Sequence, residues 1–155
     1  ELYLAAYGDA QDLIGERFDE AMATSETFVG QFNAVLEASD LLNREDPTLA
    51  KFVGSAQIDM ERHDDLRSAV EARFGRMERV TPRLVETGVT TGEIDKQMAA
   101  ATRALVRTIL SGLVYAVSND RKQHRAATDA IEALIEGRLI RPKKVRAARP
   151  KKRVP

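Results

Sequence analysis

The sequence predicts an all-α fold of six helices. Apolar residues recur at spacings of three and four almost throughout, no segment alternates as a strand would, and capping signals divide the chain into six pieces. Proline and glycine are sparse, five and nine in 155 residues, which leaves room for long uninterrupted helices. With 43% hydrophobic and 31% charged residues, that length suits a single soluble domain with a core of its own.

The first helix spans 1–22, with Tyr3, Tyr7, Ala10, Leu13, Ile14, Phe18 and Met22 on one stripe. No capping residue precedes Glu1-Leu2-Tyr3, so the expectation is that the chain opens inside a helix whose upstream part has been removed. The second, capped by Thr24 or Ser25, runs to about Asn43 and presents Phe28, Phe32, Val35, Leu36, Ser39 and Leu42. Asp46-Pro47 starts the third, because aspartate accepts from free N–H groups and proline suits the first helical position. This helix reaches His63 with Leu49, Phe52, Val53, Ala56 and Met60 on one face. Asp64 or Asp65 caps the fourth, which carries Leu66, Val70, Phe74, Met77 and Val80, kinks at Pro82 and stops near Gly88. Gly88 to Asp95 reads as a loop, with Asp95 as the next cap. The fifth helix, 96–118, is apolar around most of its circumference and must be covered on more than one side. The sixth occupies 121–138 after the turn Ser118-Asn119-Asp120.

The domain therefore spans 1–138, followed by a tail, 139–155, that is too basic and proline-flanked to form a core and is expected to be disordered. The first 137 residues hold 15 basic and 24 acidic side chains; the last 18 hold nine basic and no acidic ones. Only the tail has the charge to meet a polyanion. Lys143, Lys144, Arg146, Lys151, Lys152 and Arg153 are its candidate phosphate contacts; the bland alternative is a solubilising terminus. No apolar run approaches the roughly 20 residues of a membrane span, and no signal peptide opens the chain, so a soluble, cytoplasmic protein without a membrane partner is expected.

Catalysis has few parts to work with. Cysteine is absent, the residues three before His63 and His124 are Met60 and Arg121 rather than glutamates, and neither a phosphate loop nor a nucleophile elbow is present. The expectation is a protein that is not an enzyme and holds no metal or cofactor. A ligand cavity is the alternative to a solid core. Phe28, Phe32, Phe52, Met60, Phe74 and Met77 gather on the second, third and fourth helices, a composition that suits an adaptable apolar site. His63 either contacts such a ligand or is a helix-terminal imidazole near the last carbonyls. His124, among Arg121, Lys122 and Arg125, is expected to be solvated.

Four stretches, in this order, resemble the TetR/AcrR family of bacterial transcription regulators. They are Glu1-Leu2-Tyr3-Leu4-Ala5, Glu45-Asp46-Pro47, the connection Gly88-Val89-Thr90-Thr91-Gly92-Glu93-Ile94-Asp95, and Ser111-Gly112-Leu113. The resemblance covers about residues 1–138. It implies the C-terminal core of such a regulator, with an unknown small-molecule effector held among the middle helices. It also implies a homodimer in which the last two helices of each copy form a four-helix bundle. That places Leu105, Ile109, Gly112, Leu113, Ala116, Ala127, Ile131, Leu134 and Ile135 at the interface. Operator DNA would be read by a helix-turn-helix domain upstream of Glu1, and the effector would move the first helix and release a repressor. A helical dimeric protein-interaction module without a DNA-binding role is the alternative.

Overall fold

Helix boundaries fall where side chains satisfy the N–H groups that a helix leaves unpaired at its start. The computed structural model describes residues 2–64, 68, 70, 76–114 and 120–140, apart from the side chains at 57, 61 and 76–78. Six α-helices are described over their length: α1 (Leu2–Met22), α2 (Phe28–Glu45), α3 (Pro47–Arg62), α4 (Arg76–Thr91), α5 (Ala99–Gly112) and α6 (Arg121–Ile135). A short 3-10 turn, Lys96–Met98, leads into α5. No strand occurs among the described residues, so the chain is all-α.

Asp46 starts α3 as its neighbour Pro47 suggests, accepting from the Thr48 N–H at 2.9 Å and the Thr48 hydroxyl at 2.6 Å. These bonds hold the Asp46 carboxyl below the usual carboxylate range. Asp95 caps the 3-10 turn through the Gln97 N–H (2.8 Å), and Asp120 caps α6 through Lys122 and Gln123 (2.9 and 3.2 Å). The cap of α2 is Thr27, not Thr24 or Ser25; its hydroxyl accepts from the Gly30 N–H at 3.2 Å. Thr24 instead donates to the Ala21 carbonyl, and Ser25 accepts from the Thr27 N–H.

Two further boundaries differ from expectation. α4 continues through Pro82 and past Gly88 to Thr91. Gly88 is a packing residue there: a Cβ on it would lie 2.3 Å from Ile94 Cδ1 and 3.0 Å from Phe28 Cβ. The chain turns instead at Gly92, whose φ of 79° favours glycine. α6 ends at Ile135 rather than 138, because Gly137 at φ 69° lets the Gly137 N–H reach the Leu134 carbonyl and the Arg138 N–H the Ala133 carbonyl.

Glu93, delivered by the Gly92 turn, reaches back to the start of α2. Its carboxylate accepts from the N–H groups of Phe28 (2.6 Å) and Val29 (3.2 Å) and from the Thr91 hydroxyl (2.6 Å). Burial alone would push this carboxyl up; the Thr91, Phe28 and Val29 bonds outweigh it and hold it below its ordinary value of 4.5. A depressed carboxyl stabilises the fold above the unfolded-state value and loses that contribution as pH falls through the folded-state value. Glu93→Ala is expected to cost about 1 kcal/mol at neutral pH, the usual worth of a cap. Urea unfolding at pH 7 and pH 3 checks this: the gap between parent and variant should shrink at the acid end, and a gap independent of pH would refute the carboxylate's role.

α2 is the central element, packing against α1, α3, α4 and α6, while α5 packs on α4. The larger core joins Phe18, Met22, Phe28, Phe32, Leu36, Leu84, Ile94, Val106 and Leu113. A second cluster joins Tyr7, Ala10, Val53, Ala56 and Val70, flanked by Tyr3, Phe52 and Met60. There the Phe52 ring meets Tyr3 and Tyr7 edge-on, with centroids 5.7 and 6.3 Å away. An Arg83–Asp19 ion pair ties α4 to α1. Among the described residues, no helix is long and apolar enough to cross a membrane.

Candidate binding cavity

Between the two hydrophobic clusters lies an open cavity of about 880 Å³. α1 contributes Tyr7, Gln11, Ile14 and Phe18 to its wall; α2 contributes Ser39, Leu42 and Asn43; α3 contributes Leu49, Ala50, Val53 and Met60. Thr81 and Pro82 of α4 and Val70 reach it, and α5 presents Ala100, Arg103, Ala104, Arg107, Leu110 and Ser111. The volume falls within the range of about 300–1,000 Å³ typical of small-molecule sites.

One wall is polar and buried. His124, only 2% exposed, sits with Asp40 and Thr128 in the interior, so it is not the solvated side chain that its charged neighbours suggested. His124 Nδ1 lies 3.4 Å from Asp40 Oδ1, and Nε2 lies 3.4 Å from Ser39 Oγ. Asp40 also meets Arg44 Nε at 3.2 Å and Arg125 Nη1 at 3.5 Å. A carboxylate only accepts, so the Asp40 contact places a proton on Nδ1 and, in the neutral ring, leaves Nε2 as an acceptor toward Ser39 and the cavity.

The order Ser39–His124–Asp40 is that of a nucleophile, a base and an orienting acid. Ser39 lies inside α2, however, where the surrounding N–H groups are committed to the helix ladder and offer no cradle for an oxyanion. What the trio supplies is a directional hydrogen-bonding wall. Beside it, Asn43 is 3% exposed, and neither its Oδ1 nor its Nδ2 has a hydrogen-bond partner among the described residues. The neighbouring polar pair, Gln11 and Tyr7, is bonded at 2.8 Å.

Of the aromatic and methionine residues expected to surround a ligand, Met60 lines the cavity. Phe28 and Phe32 stack within the main core, their centroids 5.9 Å apart. Phe52 packs in the second cluster, and His63 ends α3, exposed. Phe74 and the Met77 side chain lie outside the described residues, as do Ala116 and the tail lysines and arginines at 143, 144, 146, 151, 152 and 153. The sequence carried a signal for the polar wall. Asp40 and Asn43 continue the stripe from Phe32 and Leu36, and His124 leads into Thr128, Ile131 and Ile135 at spacings of four, three and four.

The residues expected at a dimer interface divide into two groups. Leu105 is 57% exposed and Leu134 45%, and Gly112 also faces outward. Leu113 is buried in the chain's own core, and Ile109, Ala127, Ile131 and Ile135 are half-buried against it. The apolar girth of α5 and of Leu113 just after it is thus divided among the core, the cavity and solvent. Val106 and Leu113 face the core, Ala100, Ala104 and Leu110 face the cavity, and Ala101, Leu105, Thr108 and Gly112 form an exposed stripe. Comparison with known proteins gives no matching family model, curated protein or solved structure.

Proposed function

We propose that this chain is the effector-binding and dimerisation domain of a TetR/AcrR-like bacterial DNA-binding regulator, a cytoplasmic repressor released by a small, largely apolar ligand. The cavity of about 880 Å³ carries this reading, because α1 forms part of its wall through Tyr7, Gln11, Ile14 and Phe18. A DNA-reading domain attached ahead of Glu1 would move with α1, so a ligand that alters the packing of this helix alters the spacing of two DNA readers. The exposed stripe Ala101, Leu105, Thr108 and Gly112, together with Leu134, supplies apolar surface for a second copy. The resemblance of Gly88 to Asp95 and of Glu45-Asp46-Pro47 to the family supports the same reading.

The effect of a ligand is limited to its differential affinity for the two arrangements, typically about 1–3 kcal/mol of coupling. The intact protein is therefore expected to sediment as a dimer and to lose about 5- to 150-fold in operator affinity when a cavity ligand saturates it. Electrophoretic mobility shifts across a ligand titration measure this. A dimer that binds cavity ligands without any change in DNA affinity would instead be a helical interaction module.

A further inference from the structure

We propose that the cavity takes an amphipathic carboxylate: an apolar body, an amide-like group read by Asn43, and a carboxylate held by Arg103 and Arg107. This rests on the cavity being a ligand site and adds the chemistry of the ligand. Asn43 decides the middle of that molecule. Its amide is buried with an unpaired donor and an unpaired acceptor among the described residues, a costly arrangement unless something complementary arrives. A group that both donates and accepts, as an amide does, meets both atoms at once.

Charge decides the polar end. Arg103 and Arg107 stand one helical turn apart on the cavity side of α5, exposed, and neither has an ion-pair partner among the described residues. Among the described residues, the remaining ionisable side chains on the wall are Tyr7, His124 and Asp46, and the Asp46 carboxylate is committed to Thr48 at the start of α3. Among these residues the uncommitted charge is therefore positive, and a guanidinium pair is a geometric match for a carboxylate. Ile14, Leu49, Val53 and Leu110 line it with apolar surface that suits an aliphatic body.

The test uses N-decanoylglycine as the probe, with its methyl ester (charge removed) and tridecanoic acid (same chain length, amide removed), each measured by displacement of Nile red. The parent chain should prefer the probe about tenfold over each relative, the scale of one lost polar contact in a buried site. Asn43→Leu should abolish the preference over tridecanoic acid, and Arg103→Gln with Arg107→Gln the preference over the ester. Nile red uptake by both variants shows that the cavity has survived; a variant that loses it is replaced by Asn43→Ala or by the single arginine changes. Preferences that are absent in the parent, or that persist in the variants, overturn the proposal while leaving the cavity as an apolar site. A parent chain that takes up neither Nile red nor the probe overturns both.

Discussion

Phe32→Ala is expected to remove about 3–5 kcal/mol of stability, the range for deleting a fully buried aromatic side chain. Phe32 is 0% exposed and stacks on Phe28 with ring planes 7° apart. It belongs to α2, the helix on which α1, α3, α4 and α6 all pack, so the space it vacates has little freedom to collapse. Since a whole domain is stable by only about 5–15 kcal/mol, this one change should shift the urea midpoint by a large fraction of its value. Phe32→Leu retains most of the volume and should cost about 1 kcal/mol. Equal losses for leucine and alanine would mean that ring stacking rather than filled volume stabilises the centre, and a loss below about 1 kcal/mol for alanine would contradict the placement of the core.

The sequence disclosed what is decided locally and left open what distant residues decide. Asp46, Asp95 and Asp120 cap helices through bonds to residues two or three positions ahead, and a single stretch of sequence contains both partners. Thr24, Ser25 and Thr27 were all chemically able to start α2. The choice of Thr27 is reinforced by Glu93, whose carboxylate binds the first turn from 64 and 65 residues away. Gly88 invited reading as a helix stop because a glycine required by a neighbour's side chain has the same letter as one required by a turn. Ile94 and Phe28 supply the difference.

The candidate site was less legible for a related reason. The large apolar residues Phe28 and Phe32 of α2 fill the core, whereas Met60 lines the cavity as expected, together with Tyr7 and Phe18 of α1 and a set of aliphatic and polar side chains. The charged neighbours of His124 in sequence suggest a solvated side chain, whereas it shares the inward face of α6 with Thr128, Ile131 and Ile135 and meets Asp40 and Ser39 of α2 there. The apolar girth of α5 pointed to a partner; part of it faces the cavity instead.

Asp40→Ala should cost about 2–3 kcal/mol, the upper part of the range for a buried donor that loses its acceptor. The carboxylate joins α2 to α6 through His124 and Arg125, and it also receives Arg44 from its own helix. The two arginines are more than half exposed and can turn to water, so their share is small and screened by salt. His124 cannot turn away. With Asp40 gone, its buried Nδ1–H loses its acceptor, and that unmet bond is the main loss. Most of the effect should therefore survive in high salt, and Asp40→Asn, which keeps a neutral acceptor in place, should cost about 1–2 kcal/mol. The decisive measurement is a double-mutant cycle with His124→Leu, read by urea unfolding. If the two side chains act as a unit, the double variant loses clearly less than the two single losses combined, because no orphaned imidazole remains. Additive losses would show that Asp40 stabilises the fold through the arginines, and that His124 is held at the cavity wall by packing rather than by its carboxylate.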